Sequence, residues 1–217
     1  MHVYTDEVQS KPVRLIVATC KNMGIGKNGQ LPWNLPKEFA FFLNMISSVS
    51  SPDHKNLLIW GRKCWETFPE NLLPLANCVN AVLSRNLSSV PRHAQYLCRN
   101  LPNAIRLGST LPLSEDIEII WIIGGVKPYK EALMHPWCDL LYITKIMASF
   151  DCDTFFPSFD HEVFRKVDKK KGTTSGLHLN FNKMVIMVTT RGTVKIKIED
   201  EEIKCTQSFI FLGTEKD

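Results

Sequence analysis

The chain contains 217 residues, of which 44% are hydrophobic and 22% are charged. This composition is ordinary for a globular protein and excludes wholesale disorder. Lys and Arg number 26 against 22 Asp and Glu, so the net charge is only +4. The surplus is too small to indicate a nucleic-acid partner, although it suits an anionic small ligand if it is concentrated in a cleft.

Strands and helices alternate in the predicted order up to residue 146. Apolar runs rich in Val and Ile predict buried strands over residues 14–20, 56–60, 78–84, 118–123 and 140–146. Helices are predicted over residues 37–46, 62–68, 101–107 and 128–134, the first of them after Pro36, which suits a first helical turn. This order is typical of an α/β fold with a mixed, mainly parallel central sheet flanked by helices.

The alternation of strands and helices ends in the C-terminal part, after the three lysines at residues 169–171. Antiparallel strands are predicted over residues 184–190, 194–198 and 208–212, at one edge of the sheet. Residues 190–193 suit a hairpin turn, and residues 199–202 suit a solvated acidic loop. Since no repeat or linker divides the chain, we expect residues 1–12 to be an extension and residues 13–217 to form a single domain.

Nothing in the sequence indicates export, membrane insertion or a metal site. Residues 1–12 lack an apolar segment, and the longest apolar runs are too short to cross a bilayer. Two acidic residues near 152, Asp151 and Asp153, have no third ligand spaced to join them, so a turn or a contact donated by Thr154 is the better interpretation. The seven cysteines form no CxxC pair, which predicts free thiols and a cytoplasmic protein.

A glycine-rich loop follows the first predicted strand. Residues 24–29, GIGKNG, match the GxGxxG pattern of dinucleotide-binding folds, but Pro32 prevents a helix from beginning there. We therefore reject that fingerprint and predict a flexible loop at the carboxyl edge of the sheet, where α/β proteins bind ligands. An ordinary mobile loop is the alternative.

Glu38 is the most informative acidic residue. On a helix it shares one face with Phe41, Phe42 and Met45. A carboxylate on an apolar face is costly unless it is paired. Either the helix frays so that Glu38 reaches water, or Glu38 binds a ligand that carries paired donors.

Three predicted strands end in residues suited to binding phosphate. Their parallel arrangement would bring these ends to one edge of the sheet, beside helix N-termini that bind anions. Glycine turns and surface cations are the alternative interpretation of each. The three segments are Gly61-Arg62-Lys63, Ser84-Arg85 and Gly124-Gly125.

Seven segments spread along the chain have distinctive sequences. They are, in chain order, IVATCKNMGIGKNGQLPW, KEFAFFLNM, NLLIWGRKCWETFP, VNAVLSRN, IEIIWIIGGVKPYKEAL, LLYITKI and DCDTFFP. Together they resemble the dihydrofolate reductase family, in particular the animal enzymes. The resemblance extends from residue 13 to about residue 167. It implies hydride transfer from NADPH to C6 of 7,8-dihydrofolate and protonation at N5, which yields 5,6,7,8-tetrahydrofolate for one-carbon metabolism. It also implies a small-molecule substrate, and we expect a monomer.

The resemblance assigns three catalytic positions. Glu38 would hold the pterin, with a pKa raised by its apolar surroundings. Trp33 would bound the water that carries the proton, and Thr144 would steady the acid from behind. The substrate pocket would also include Ile16, Val17, Phe39, Phe42, Leu72, Leu75, Cys78, Ile123 and Tyr129.

The resemblance also assigns the cofactor site, with a cis peptide expected between the glycines of the pyrophosphate turn. The loop over the nicotinamide would comprise Gly24, Ile25, Gly26, Lys27, Asn28, Gly29 and Gln30, with Ala18 beside it. The phosphates and adenine would be held by Arg62, Lys63, Cys64, Ser84, Arg85, Asn86, Arg99, Gly124, Gly125, Val126, Lys127, Pro128 and Tyr129.

The departures from the family pattern concentrate where the glutamate tail of folate would bind. Cys78 stands where the family carries an arginine that clamps a carboxylate, and a thiol cannot form that bidentate pair. Leu72 and Leu43 replace family amides, and Cys64 replaces a threonine near the cofactor. Two alternatives therefore remain open: a reductase of tail-less pterins, or a catalytically weak NADPH- and folate-binding paralogue.

Overall fold

The computed structural model describes residues 8–166, 182–189, 194–198 and 201–205. The strands are β1 (Val13–Thr19), β2 (Gly24–Gly26), β3 (Lys55–Gly61), β4 (Cys78–Leu83), β5 (Tyr96–Cys98), β6 (Ile117–Gly124), β7 (Cys138–Ile146), β8 (Thr154–Phe155), β9 (Phe164–Lys166), β10 (Asn182–Thr189), β11 (Val194–Ile198) and β12 (Glu201–Cys205). The helices are α1 (Pro36–Ser47), α2 (Arg62–Thr67), α3 (Leu101–Ser109), α4 (Leu113–Asp116) and α5 (Val126–Leu133), with a 3-10 turn at Glu70–Leu72.

The central sheet has the order β5-β4-β3-β6-β1-β7-β10-β9. All pairs from β5 to β7 are parallel, whereas β10 runs antiparallel to both β7 and β9. The prediction of a mainly parallel α/β sheet with antiparallel C-terminal strands is therefore confirmed. The five strands predicted up to residue 146, the four predicted helices and the strand predicted at residues 184–190 are all present within a few residues.

The inner strands are apolar throughout because alternate residues pack on opposite faces of the sheet. In β3, Leu57 and Ile59 join the core on one face, whereas Leu58 and Trp60 join the core on the other. Helices α3 and α5 cover the first face, and α1 and α2 cover the second. The site-forming strands are thus held rigidly from both sides.

Two C-terminal predictions are wrong. Strand β11 pairs with β12 in a separate two-stranded sheet, not with the edge of the central sheet. Glu201 and Glu202 begin β12, although the acidic run 199–202 was expected to be a loop. Apolar and polar residues alternate through β11 and from Glu202 to Cys205 in β12, which suits a two-stranded ribbon, and this pattern outweighs the local charge. The turn predicted at residues 190–193 and the strand at 208–212 lie outside the described residues.

Helix α5 begins two residues before the predicted start. Pro128 lies in its first turn and is buried, a place where a missing N–H costs nothing because that group has no helical partner. Among the described residues, no helix has the length and apolarity needed to cross a membrane. No cluster of three or more His, Cys, Asp or Glu side chains suited to a metal ion occurs in the same part of the chain.

Candidate active site

A cleft of about 280 Å³ opens at the carboxyl edge of the sheet, where β3, β4 and β6 end. The parallel strands bring their ends together there, as predicted. Five basic side chains and one acidic side chain line it, so its field favours an anion. The lining residues are Gly61, Arg62, Lys63, Cys64, Leu83, Ser84, Arg85, Arg99, Asn100, Leu101, Gly125, Lys127, Pro128 and Glu131.

The lining includes most of the predicted phosphate-site residues but omits Asn86, Gly124, Val126 and Tyr129. The backbone N–H of Asn86 instead donates to Ser84 Oγ at 3.2 Å. Asn100 and Leu101 were missed, although an Asn before Leu-Pro is a recognisable helix start. The Asn100 side chain caps α3 by accepting from the Asn103 N–H.

Close backbone approach shapes the floor of the cleft. A Cβ at Gly61 would lie 2.9 Å from the nitrogen of Gly125 and 3.0 Å from the oxygen of Gly124. Only glycine therefore lets the end of β3 meet the turn that leads into α5. The Gly124–Gly125 peptide is cis, as the resemblance implied. Two glycines and a helix N-terminus suit a diphosphate, so the residues present fit a dinucleotide.

The basic side chains of the cleft have different partners. Arg62 forms an ion pair with Glu66 at 2.8 Å on the rim. Arg99 donates to the backbone oxygens of Ser84, Arg85 and Leu87, the last at 2.6 Å. Arg99 therefore supports the turn that carries Ser84 and Arg85, and it also lines the cleft, so its contact with the cofactor stays a prediction.

Glu38 is buried in the first turn of α1, with 9% of its surface exposed. Burial raises its pKa to about 7, and a side-chain hydrogen bond with Thr144 offsets that rise only in part. The helix begins at Pro36, before Glu38, and does not fray to expose it. Of the two alternatives left open by the sequence, exposure of Glu38 by fraying of the helix is therefore excluded, and Glu38 is a buried acid.

Trp33 is buried, and among the described residues its Nε1 has no hydrogen-bond partner. Its ring packs with Cys20, Ile146 and Ala18, and meets the ring of Phe150 edge-on at 5.4 Å. A buried donor without a protein partner is unusual and suits a water or ligand acceptor.

The predicted walls of the substrate pocket divide between the two faces of the sheet. The side chains that pack on one face include Ile16, Phe42, Leu75, Cys78 and Ile123. The ring of Phe39 stacks on Phe42 at 5.9 Å.

Val17 and Tyr129 pack in the core on the opposite face. The Tyr129 hydroxyl lies between the backbone oxygens of Ile16 and Ile123 and can donate to either, so the side chain braces β1 against β6. Leu72 lies half-buried in the 3-10 turn.

Cys78 begins β4 and is half-buried. Its Sγ donates to the backbone oxygen of Ile46 at 3.4 Å. Burial raises the pKa of the thiol to about 12. The position therefore holds a neutral group that is already bonded within the protein.

The glycine loop is a tight hairpin tip. Strand β2 pairs with β8, and Lys27 and Gln30 exchange backbone hydrogen bonds across Asn28 and Gly29, which both have positive φ. An Asn-Gly pair is the strongest sequence signal for such a turn, and its meaning was missed.

A neighbouring acidic segment holds the tip in place. Asp151 forms an ion pair with Lys27 at 3.0 Å, and Asp153 accepts from the Asn28 N–H at 2.7 Å. The acidic pair thus ties down the loop, and Thr154 Oγ1 donates to Asp153, which confirms the predicted threonine contact.

A mainly parallel α/β sheet with a basic, glycine-floored cleft at the carboxyl ends of its strands places the protein in the open-sheet α/β class, in which ligands bind at that edge. The family model described as dihydrofolate reductase matches residues 12–187, and the chain belongs to that family.

This chain aligns with most of the length of the similar proteins. A dihydrofolate reductase of Heliothis virescens is 43% identical over 73% of this chain and 86% of that protein. One of Sus scrofa is 40% identical over 76% of this chain and 89% of that protein. The structure of Schistosoma mansoni dihydrofolate reductase is 34% identical, with a TM-score of 0.68 over 83% of this chain and 100% of the other.

Proposed function

We propose that the protein reduces 7,8-dihydrofolate to 5,6,7,8-tetrahydrofolate with NADPH, as a cytoplasmic monomer. The observation that carries the proposal is Glu38, a buried carboxyl group whose pKa is raised to about 7. The relatives named dihydrofolate reductase favour this function over a tail-less pterin reductase or a binding paralogue.

Glu38 serves the reaction in both protonation states. As a carboxylate it accepts paired N–H donors of a pterin ring through charge-assisted bonds. As an acid it is the source of the proton that reaches N5 through water, and Trp33, whose Nε1 has no partner in the described part of the chain, would bound that water. Thr144 orients the carboxyl group by its side-chain hydrogen bond.

The cleft is proposed to hold the dinucleotide, which when bound supplies the hydride. Arg62, Ser84 and Arg85 would bind the ribose phosphate that distinguishes NADPH from NADH. The N-terminus of α5 and Gly125 would meet the diphosphate. The loop of residues 24–30 would exclude water from the nicotinamide end.

Steady-state turnover tests the proposal. Protein, dihydrofolate and NADPH together should consume the nicotinamide absorbance, and NADH should require a concentration about tenfold higher or more. The Glu38→Gln variant should lose about a hundredfold in rate near neutral pH, because it removes the proton source. Glu70→Gln, at an exposed acid paired with Arg92, is the matched control. An unchanged rate in Glu38→Gln would contradict the proposal.

Cys78 is proposed to weaken the grip on the glutamate tail, because its neutral thiol is bonded to Ile46. A Cys78→Arg variant should lower KM for dihydrofolate on the order of tenfold through a regained carboxylate pair. The KM of a dihydropterin without the glutamate tail should not change. Equal responses of the two substrates would show that Cys78 lies away from the tail.

A further inference from the structure

Two cysteines that the proposed reaction does not use lie in contact beneath the glycine loop. The Sγ atoms of Cys20 and Cys152 are 3.8 Å apart, although 132 residues separate them in sequence. Cys20 directly follows β1, and Cys152 lies just before β8. Both are free thiols.

Backbone hydrogen bonds hold the two segments in register. The Cys20 N–H donates to the oxygen of Gly24 at 3.0 Å, and the Asp153 N–H donates to the oxygen of Gly26 at 3.0 Å. Both cysteines are thus fastened to the same short strand, β2. A bond between their sulfurs requires the two atoms to approach from 3.8 Å to about 2 Å.

The loop lies directly on this pair. A Cβ at Gly24 would be 2.5 Å from Cys152 Sγ and 2.9 Å from Cys20 Sγ. The same two cysteines pack with Trp33 and Ala18, which adjoin the proposed reaction site. A covalent change at the pair therefore acts on the loop and on the wall beside Trp33.

The thiols differ in access and in acidity. Cys20 is buried with 3% of its surface exposed, whereas Cys152 is half-buried and within reach of a solute. Burial opposes ionisation of Cys20, but hydrogen bonds from the backbone at Asn22 and Phe150 outweigh it and lower its pKa. Burial raises the pKa of Cys152.

We propose that Cys20 and Cys152 form an oxidation site that reacts with a low-molecular-weight disulfide and closes a reversible crosslink beneath the loop of residues 24–30. Its effect on turnover rests on the proposed function, whereas the crosslink and its effect on the loop do not.

The reaction is a pair of thiol–disulfide exchanges. The Cys152 thiolate attacks one sulfur of the soluble disulfide, forms a mixed disulfide and releases the first thiolate. The Cys20 thiolate then attacks the Cys152 sulfur and releases the second. Two protein thiols are oxidised, one soluble disulfide is reduced to two thiols, and the two thiol protons pass to the released thiolates and solvent. Excess thiol reverses both steps.

The test treats the intact, folded protein with oxidised glutathione and maps its disulfides by mass spectrometry. We expect a peptide pair that joins Cys20 to Cys152 with loss of the two thiol hydrogens, and its disappearance in dithiothreitol. Amide hydrogen exchange of residues 24–30 should slow in the crosslinked form. If dihydrofolate turnover is present, the crosslink should lower it severalfold, reversibly.

Cysteine variants test the order of the two exchange steps. Cys20→Ser should accumulate glutathione on Cys152, and Cys152→Ser should form neither adduct nor crosslink at this site. Cys78→Ser, at another half-buried thiol, should crosslink like the parent protein. Failure of the crosslink to form in the parent protein, or unchanged exchange in the loop once it has formed, overturns the proposal. An absence of dihydrofolate turnover would refute the proposed function alone.

Discussion

At the scale of single residues, Glu38 couples the protonation of the site to the stability of the fold. Its pKa is about 7 in the native protein, against 4.5 for an unperturbed glutamate, because burial disfavours the charged form. The native state therefore binds the proton more tightly than the unfolded chain does. The resulting stabilisation is complete below about pH 4.5 and is lost as the pH rises through about 7.

A Glu38→Gln variant should lack this pH dependence. The shift corresponds to about 3 kcal/mol, so the free energy of unfolding of the parent protein should fall by roughly that amount relative to the variant between about pH 4 and about pH 8. Urea unfolding of the ligand-free proteins at the two pH values measures the difference. Other titrating groups contribute to both proteins alike, so parallel pH profiles would show that Glu38 is not buried.

At the scale of elements, the turn of residues 84–87 depends on an arginine that comes from outside it. Arg99 donates to three backbone oxygens of the turn, and the Ser84 hydroxyl accepts from the N–H groups of Asn86 and Leu87. The turn presents Arg85 to the cleft. Arg99 is therefore a positioning residue whose influence passes through the turn.

Arg99→Met should repeat, more weakly, the cofactor selectivity of Arg85→Met. Loss of the Arg99 bonds should cost about 1 kcal/mol and raise KM about fivefold for NADPH, because the turn carries Ser84 and Arg85, with KM for NADH and kcat little changed. Loss of Arg85 should raise KM for NADPH alone, because only that cofactor carries the extra phosphate. Steady-state kinetics with both cofactors separates the roles. The double variant should be no worse than Arg85→Met, because Arg99 acts through the turn, and an additive further rise in KM for NADPH would mean that Arg99 binds the phosphate itself.

The inner strands could be predicted from sequence because burial on both faces leaves a continuous apolar run, as in residues 56–60. Shorter elements, such as β5 and β8, carry too few residues to show a period. The site was predictable where it follows from strand ends, as at Gly61 and Ser84. The contact between Cys20 and Cys152 depends on pairing of β2 with β8, which no local pattern encodes.

At the scale of the whole molecule, a strand from the C-terminal region extends the central sheet beyond β7. Strand β10 lies between β7 and β9 and pairs with β7 from Asn182 to Val188. Met187 of β10 is buried in the main core. Without β10, the edge of β7 would be exposed along with the backbone of the strand that carries Thr144.

Two truncations should therefore behave differently. A chain that ends after Thr189 keeps β10 and loses β11 and β12, which pair only with each other among the described strands. It should retain a cooperative thermal transition within a few degrees of the parent protein, together with full turnover. A chain that ends after residue 181 removes β10 and should lose both, because the hydrogen bonds of β7 and the contacts of Met187 are gone. Thermal unfolding and turnover of the two truncated chains measure these differences.

Loss of folding in the chain that ends after Thr189 would mean that β11 and β12 support the central sheet. It would also strengthen the expectation that residues 13–217 form a single domain.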